Sequence, residues 1–365
     1  MIVSLVIVVA LVAAVYFFMQ QSKFGSQPTG ERLELLRVSP QYKSGAFQNQ
    51  SHTPSLTEGA SFTSVLGEFL FKQKERKKPA EALPSVKTDL FALKKDENAL
   101  VWMGHSSYFM QIDGKTILVD PVLSGAASPL SFTTKSFPGS DIYTTDDIPA
   151  IDYLFISHDH WDHLDYNTLR KLKPKTKTII TGLGTGEHLQ RWGFKKDMII
   201  EKDWNESVTL ADGFSVTVTP ARHFSGRGFK RNGALWVSFV LQTPKHKIYL
   251  GGDSGYDDHF KTIGNQHGPF DLAILECGQY DKNWKYIHMM PEETALAAQE
   301  LKAKKLLAVH WGKFALANHT WDDSIKRVYK AAKEKQLHLL TPMIGEKVSI
   351  DDDAQQFSAW WEQLD

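Results

Sequence analysis

Four side chains that can bind a metal stand within one stretch of six residues: His158, His160, Asp162 and His163. They follow the apolar residues 151–156, whose composition predicts a buried strand that ends at Ser157. In an extended segment, His158 and His160 project to the same side, because side chains alternate along a strand. A turn at Trp161 would direct Asp162 and His163 toward a second metal, about 3.5–4 Å from the first. The motif therefore predicts a two-metal site, with a polar surface loop as the alternative.

Imidazole and carboxylate ligands without a thiolate suit zinc, iron or manganese. We expect two zinc ions, with iron or manganese as alternatives. Two such ions lower the pKa of a water molecule between them from about 15.7 to near 7, so that hydroxide is available at neutral pH. That bridging hydroxide is the expected nucleophile for an ester or phosphodiester, and the metals would stabilise the charge that develops.

Three further ligand candidates follow predicted strands at residues 215–219, 247–250 and 305–309: His223, Asp253 and His310. Side chains on loops at strand ends are well placed for catalysis, because a rigid sheet fixes their origin. Taken singly, they could be a loop histidine, a turn aspartate and a core histidine. Together with the motif they provide seven ligands, enough for two ions when a carboxylate and a water bridge them.

The elements that must position these residues are mostly strands. The predicted strands are residues 100–103, 108–112, 117–120, 151–156 and 178–181 in the first half, and 215–219, 235–242, 247–251 and 271–275 in the second. The predicted helices are residues 167–172, 186–192, 291–303 and 321–336. Strands in each half followed by helices indicate an α+β fold in which two sheets pack face to face with helices outside, an αββα sandwich.

Composition supports a packed core, since 42% of the 365 residues are hydrophobic and 12% are aromatic. Basic and acidic residues number 42 each, so the charge gives no reason to expect a nucleic-acid partner. The single cysteine, Cys277, excludes an intrachain disulfide and is interpreted as a small buried residue. The sequence does not predict an oligomeric state.

Residues 2–19 are apolar except for Ser4 and would form a helix about 27 Å long, which nearly spans a bilayer. The run has no basic residue before it and no small-x-small site after it, so an uncleaved single-pass anchor is favoured over a signal peptide. Lys23, Arg32 and Arg37 follow the run and slightly favour a cytoplasmic catalytic domain. We therefore predict a membrane protein whose orientation the sequence leaves open.

The predicted organisation has four parts. They are a transmembrane anchor at residues 1–20, a polar tether and N-terminal wrap at residues 21–98, a catalytic domain at residues 99–351 and a C-terminal tail at residues 352–365. The basic run at residues 72–78 is expected to be solvated, with contact to anionic lipid headgroups as the alternative.

The order of the ligands along the chain resembles that of the metallo-β-lactamase superfamily, whose fold is an αββα sandwich. A closer resemblance, to the N-acyl-phosphatidylethanolamine-hydrolysing phospholipase D branch, rests on residues 102–106, 118–121, 252–256, 268–272, 288, 291–293 and 310–318. It extends from about residue 100 to about residue 348 in the same order.

This resemblance implies which residues hold which ion. It places His158, His160 and His223 on one zinc, Asp162, His163 and His310 on the other, and Asp253 between them. It also implies a histidine near the substrate at the position of His288.

Asp162 and His288 are therefore the predicted catalytic residues, and His288 would give a proton to the leaving alkoxide. A structural histidine before a helix is the alternative for His288. His105 could hold a ligand or a substrate oxygen, or only stabilise a turn. Five aromatic residues could line an apolar substrate channel, although core packing explains most such residues: Trp161, Tyr256, Tyr280, Trp284 and Trp311.

Three functions are compatible with this sequence. The first is a membrane-anchored zinc phosphodiesterase of the phospholipase D type, which acts on N-acyl-phosphatidylethanolamine-like phospholipids. The second is a di-zinc lactonase or other ester hydrolase, because the fold does not determine the substrate. The third is a non-catalytic metal-binding membrane protein, which is disfavoured because structural zinc sites usually have four protein ligands and one ion.

Overall fold

A computed structural model describes residues 2–71 and 76–364 of the chain, so residues 72–75 of the basic run lie outside the described residues. The helices are α1 (Ile2–Met19), α2 (Gly30–Val38), α3 (Phe62–Phe71), α4 (Tyr166–Leu172), α5 (Gly186–Arg191), α6 (His259–Gln266), α7 (Pro291–Glu300) and α8 (Asp323–Glu334). The strands are β1 (Tyr42–Lys43), β2 (Ala46–Phe47), β3 (Ala99–Trp102), β4 (Tyr108–Ile112), β5 (Lys115–Val119), β6 (Ile151–Ile156), β7 (Thr176–Gly182), β8 (Ile199–Lys202), β9 (Ser207–Thr209), β10 (Ser215–Thr219), β11 (Ser238–Gln242), β12 (Lys247–Leu250), β13 (Phe270–Glu276), β14 (Ala303–Val309), β15 (His338–Leu340) and β16 (Lys347–Ser349).

Two seven-stranded sheets form the centre of the domain. Their strand orders are β16-β3-β4-β5-β6-β7-β8 and β15-β14-β13-β12-β11-β10-β9. In each sheet one half is antiparallel and the other half, β5 to β8 or β12 to β15, is parallel. Five of the six parallel connections pass through an α-helix, whereas β5 and β6 are joined by a long loop. The two sheets thus share one organisation, although their sequences show no recognisable repeat.

The two covered faces of strand β6 explain why its sequence is apolar except at Asp152. Tyr153 and Phe155 point into the core between the sheets, whereas Leu154 and Ile156 pack under the helices on the other side. A strand of a parallel sheet that is covered on both faces is apolar at nearly every position, and Asp152, which is only partly buried, pairs with Lys177 at 2.6 Å. The loop after β6, which carries the histidine motif, therefore starts from a strand that is fixed on both sides.

The structure corrects several predicted elements. Helix α6 and strands β8, β9, β15 and β16 were not predicted, and the helix expected at residues 291–303 ends at Glu300. Residues 235–237 are not part of β11. Instead, the Leu235 amide donates to the Leu183 carbonyl and the Val237 amide to the Ser157 carbonyl. This segment joins the second sheet to the ends of β6 and β7 near the histidine motif.

Helix α1 has no buried residue and, among the described residues, is the one helix long and apolar enough to cross a bilayer. A signal sequence has the same length and composition. The segment after α1 lies against the domain and contributes Leu36, Phe47 and Leu83 to the core. At the other end of the chain, Trp360 stacks on Trp311, 5.3 Å between ring centroids.

Candidate metal centre

The predicted ligands come from the ends of strands in both sheets. His158, His160, Asp162 and His163 lie on the loop after β6, whereas His223, Asp253 and His310 follow β10, β12 and β14. Strands β10, β12 and β14 run in the same direction, so their carboxyl ends meet at one edge. That edge faces the loop after β6, and the structure brings all seven side chains together there.

The side chains form two four-residue groups that could each hold an ion, and a third group of Asp253, His288 and His310 overlaps with both. In one group, the ligand atoms of His158, His160, His223 and Asp253 lie within 4.8 Å of one another. In the other group, the same limit holds for His105, Asp162, His163 and His310. Within the first group, His160 Nδ1 is 2.9 Å from His158 Nε2 and 3.2 Å from His223 Nε2.

Asp253 lies between the two groups, with one oxygen toward each. Its Oδ2 is 3.8 Å from His158 Nε2 and 3.7 Å from His223 Nε2. Its Oδ1 is 3.2 Å from both His163 Nε2 and His310 Nδ1. This is the arrangement that a carboxylate needs in order to bridge two cations.

Two buried atoms at the centre indicate that these residues fit metal ions. His163 Nε2 and Asp253 Oδ1 have no hydrogen-bond partner of acceptable geometry, although they lie 3.2 Å apart. A buried polar atom without a partner costs about 1–3 kcal/mol. A cation bound by both atoms would remove that cost, and nitrogen and carboxylate ligands suit a first-row divalent ion.

Neighbouring polar groups hold the ligand rings in fixed orientations. Asp120 accepts a hydrogen bond from His163 Nδ1 (2.8 Å) and from the Ser157 amide (2.8 Å), while Ser157 Oγ lies 2.9 Å from His158 Nδ1. The Ile287 carbonyl accepts from His223 Nδ1 at 2.7 Å. Because the Nδ1 atoms of these three rings are engaged, their Nε2 atoms are the ones left to bind a metal.

Burial and mutual charge set the ionisation of the centre. Burial lowers the pKa of His158, His223 and His310 well below the usual value, so these rings are neutral, as metal ligands must be. Burial alone would also lower the pKa of His163, but the carboxylates of Asp253 and Asp162 hold it well above its usual value. The carboxylates therefore stabilise positive charge at the position where a bound cation would supply it.

The backbone is strained at three positions of the site. His105, Asp120 and His310 have φ values of 52°, 40° and 71°, in the left-handed region that side chains other than glycine rarely adopt. Such strain is concentrated at functional sites, where the surrounding structure enforces it. His105 and His310 belong to one of the two groups, and Asp120 accepts a hydrogen bond from the His163 ring of that group.

His288 also lies beside the ligands. Its ring stacks on His310, 5.3 Å between centroids, and its Nδ1 is 3.2 Å from Glu276 Oε1. Glu276 is fully buried and also accepts from the Met289 amide at 2.9 Å. Burial alone would lower the pKa of His288, but the Glu276 carboxylate raises it. Since Nδ1 faces Glu276, Nε2 is the nitrogen left for the site.

A cavity of about 380 Å³ opens onto the two groups. Its polar lining includes His160, Asp162, Asp253, His288 and His310. Its apolar lining includes Leu56, Phe62, Val65, Phe224, Trp284, Ile287 and Leu316. A substrate there would therefore have its reacting group at the ligands and an apolar part against the opposite wall.

The other predicted site residues lie in different places. His105 is buried with its Nε2 2.9 Å from Asp162 Oδ2, which is the position for holding a ligand. Trp161 contacts Phe24 rather than the cavity, and Tyr256 stacks on Phe260 of α6. Tyr280 hydrogen-bonds to Asp323 and stacks on His319. Of the five aromatic residues predicted for the channel, Trp284 lines the cavity, together with Phe62 and Phe224. The structure does not bring the other four to the cavity wall.

Sequence reasoning assigned no role to Asp120 and Glu276. Both are buried acidic residues at the ends of apolar strands, Asp120 directly after β5 and Glu276 as the last residue of β13. The same signal identified Asp253, which follows β12. A search for every carboxylate at the end of an apolar strand would have found all three.

The fold and the site define a metal-dependent hydrolase of the metallo-β-lactamase type. Residues 115–311 match the family described as the β-lactamase superfamily domain, and the chain belongs to this family. The family resemblance seen in the sequence is thereby confirmed.

Relatives extend over most of the chain. An uncharacterized protein of Mycobacterium tuberculosis is 36% identical over 327 residues, which are 88% of this chain and 87% of that protein. The N-acyl-phosphatidylethanolamine-hydrolyzing phospholipase D 1 of Caenorhabditis elegans is 29% identical over 263 residues, 67% of this chain and 74% of that protein. The outer membrane protein RomA of Klebsiella pneumoniae is 60% identical over 106 residues, 29% of this chain and 80% of that protein.

Solved structures show the same fold. Igni18, a metallo hydrolase from Ignicoccus hospitalis, has a TM-score of 0.54 at 20% identity and covers 69% of this chain and 98% of its own. CmlA, a diiron β-hydroxylase from Streptomyces venezuelae, has a TM-score of 0.52 at 16% identity and covers 70% of this chain and 54% of its own.

Proposed function

We propose that this protein is a membrane-anchored hydrolase with two metal ions, which cleaves phospholipids similar to N-acyl-phosphatidylethanolamine in the manner of a phospholipase D. The observation that carries the proposal is Asp253, whose two oxygens face two groups of ligands at one end of an apolar-walled cavity. The similarity to the C. elegans phospholipase supports the choice of substrate.

His158, His160 and His223 would hold one ion, Asp162, His163 and His310 the other, and Asp253 both. Zinc is our first choice, and iron or manganese would suit the same ligands. Two such ions supply Lewis acidity and hydroxide at neutral pH.

The protein's own residues would orient the substrate and supply the proton. In the net reaction, water adds to phosphorus, the bond to the N-acylethanolamine oxygen breaks, and phosphatidate is released. His288 Nε2 would give its proton to that leaving oxygen, while Glu276 holds the ring from the other side. Arg231 lines the cavity with its guanidinium 5.0 Å from the Phe224 ring centroid, where it would attract the phosphate.

A lactonase or other ester hydrolase is the second candidate. A cavity of about 380 Å³ lies at the small end of the range for ligand sites, about 300–1,000 Å³, and does not enclose a whole diacyl phospholipid. A phospholipid would have to keep its diacylglycerol part outside the cavity. A small ester would fit entirely inside.

We also propose that α1 remains attached as a single-pass anchor. The segment directly after it is bonded to the catalytic domain, because Trp192 donates to the Ser22 carbonyl at 2.7 Å and Arg227 donates to the Lys23 carbonyl at 2.8 Å. These contacts would hold an uncleaved α1 at a fixed place on the domain surface. Three cations after α1 slightly favour the cytoplasmic side for the domain.

Hydrolysis of three substrates by the full-length protein in detergent tests the function. The substrates are an N-acyl-phosphatidylethanolamine, an acyl-homoserine-type lactone and a simple aryl phosphodiester, each with zinc-, iron- and manganese-loaded enzyme. We expect phosphatidate and N-acylethanolamine from the first, and no activity from Asp253→Ala with any of them. Turnover of the lactone alone would contradict the phospholipase proposal and support the second candidate.

A further inference from the structure

Two exposed phenylalanines lie near the point where α1 joins the domain. Phe132 is 72% exposed and Phe229 is 87% exposed, both on loops. The loop of Phe229 contacts the end of α1, since a Cβ at Gly228 would lie 2.8 Å from Met19 Cε. The loop of Phe132 adjoins the next residues, because Ser131 and Lys23 line one cavity.

The segment that follows α1 is held against the domain by hydrogen bonds and close packing. Arg191 donates to the Gln20 carbonyl at 2.8 Å, and the Ser26 amide donates to His188 Nδ1 at 3.0 Å. Gly25 lies so close to His188 that a Cβ would be 1.9 Å from its Nδ1. Helix α1 is therefore joined to the domain without a flexible spacer, and its end fixes which face of the domain is near the bilayer.

The loop after β6, which carries the candidate ligands from His158 to His163, lies at the face of the domain where α1 ends. Trp161, between the candidate ligands His160 and Asp162, packs edge-on against Phe24, 5.1 Å between ring centroids. The Arg227 guanidinium lies 3.9 Å from the Trp161 ring centroid and donates to the Asp159 carbonyl at 2.9 Å. The loop after β6 thus contacts the residues that follow α1 directly, through Trp161.

The mouth of the metal cavity is continuous with the Phe229 loop. Arg231, two residues after Phe229, lines the cavity together with Phe62 of α3, and Phe62 is itself 72% exposed. Lys230 and Arg231 are exposed, so the face combines apolar side chains with positive charge. Apolar side chains beside cations are typical of surfaces that insert into an anionic headgroup region.

We infer that this docking face, made of the end of α1 with Phe132, Phe229 and Lys230, rests on a lipid bilayer, so that the metal cavity opens onto the headgroups. The inference builds on the proposed function, because it takes α1 to be a membrane anchor. It adds a second attachment through the catalytic domain itself. A phospholipid could then present its headgroup to the cavity while its diacylglycerol part stays in the bilayer. The cavity of about 380 Å³ would not need to enclose the whole lipid.

Quenching by spin-labelled lipids tests the docking face without relying on activity. The only native cysteine, Cys277, is buried, so Phe132→Cys and Phe229→Cys can each be labelled with a fluorophore at one position. The full-length variants are placed in phosphatidylcholine vesicles with a minority of phosphatidylglycerol and a shallow nitroxide lipid. Phe91→Cys is the matched control, since Phe91 is 62% exposed on the segment that bonds to Gly345 through Thr88.

We expect the labels at positions 132 and 229 to be quenched several-fold more strongly than the label at position 91. Equal quenching at the three positions would overturn the inference. Labels at 132 and 229 that are shielded instead by a second copy, with a dimer in detergent, would overturn it as well.

The outcome is separable from that of the proposed function. Quenching without phospholipid hydrolysis would leave the docking face intact and contradict the phospholipase activity. Phospholipid hydrolysis without quenching would support the phospholipase activity and contradict the docking face. As a functional check, Phe132→Asp with Phe229→Asp should slow hydrolysis of vesicle substrate at least tenfold and leave a soluble short-chain analogue unaffected, whereas Phe91→Asp should change neither.

Discussion

Replacing Asp120 by asparagine tests how the site keeps His163 in the ring form that can bind a metal. Asp120 accepts hydrogen bonds from both the Ser157 amide and His163 Nδ1, each at 2.8 Å. Asparagine has one acceptor oxygen, and if it serves the Ser157 amide, the NH₂ group must face His163. Nδ1 would then have to accept, and the ring proton would move to Nε2, the unpartnered atom next to Asp253.

The size of the effect follows from this geometry. Removing a group that orients a metal ligand typically weakens metal binding 10- to 100-fold, about 1.4–2.8 kcal/mol. Asparagine is close to aspartate in shape and tolerates the φ of 40° at this position, so the fold should persist. We therefore expect a loss of metal affinity in that range, mostly at the ion that His163 would hold, with a normal circular dichroism spectrum.

The assay is metal content after dialysis against a series of chelator-buffered zinc concentrations. Ser157→Ala is the comparison variant, because it removes the contacts of Ser157 Oγ with His158 Nδ1 and Asp120 Oδ2 but keeps the carboxylate that accepts from His163 Nδ1. Its loss of metal affinity should be smaller and should not be concentrated at the ion that His163 would hold. If Asp120→Asn binds both ions within twofold of the wild-type affinity, Asp120 does not set the ring form of His163.

Three further predictions use other parts of the structure. His288→Ala should keep both metals, while the turnover number falls by a factor of about 10²–10⁴. Glu276→Gln should also lower the turnover number, but kinetics of the double variant should show no further loss beyond that of His288→Ala. Asp253→Ala should reduce zinc content below two ions per chain and be the most damaging single change, as measured by elemental analysis, because its oxygens face both groups. Burial lowers the pKa of His259 from 6.5 to about 4, so between these values the unfolded chain binds a proton that the folded protein does not. The free energy of unfolding should therefore fall by up to about 3 kcal/mol as the pH falls from about 6.5 to 4. Urea unfolding across this range should show a smaller decrease for His259→Gln than for the wild type.

The ligands could be found from the sequence because they follow strands that are themselves recognisable. Residues 151–156 form a strand because both of its faces are covered, and the loop that follows carries its ligands within six residues. Helix α6, in contrast, begins with a buried histidine and has a short apolar stripe, so local composition did not reveal it.

Residues that act through tertiary contacts were beyond sequence reasoning. Asp120 reaches His163 across 43 positions of the chain, and Glu276 becomes His288's partner only when β13 is in place. For Tyr256 and Tyr280, the sequence suggested a role that the tertiary structure does not give them. Aromatic side chains suit an apolar channel, but Tyr256 stacks on Phe260 and Tyr280 stacks on His319, away from the cavity wall.

The origin of the ligands in two different sheets has a mechanical consequence. The loop after β6 belongs to one sheet, whereas His223, Asp253 and His310 belong to the other, so ions bound by both would act as a removable cross-link between the two halves of the domain. An ion present at 1,000 times its dissociation constant adds about 4.1 kcal/mol to folding stability. Removal of the metals would therefore loosen the seam between the sheets, and amide hydrogens of β6 and β12 should exchange faster even though neither strand contains a ligand.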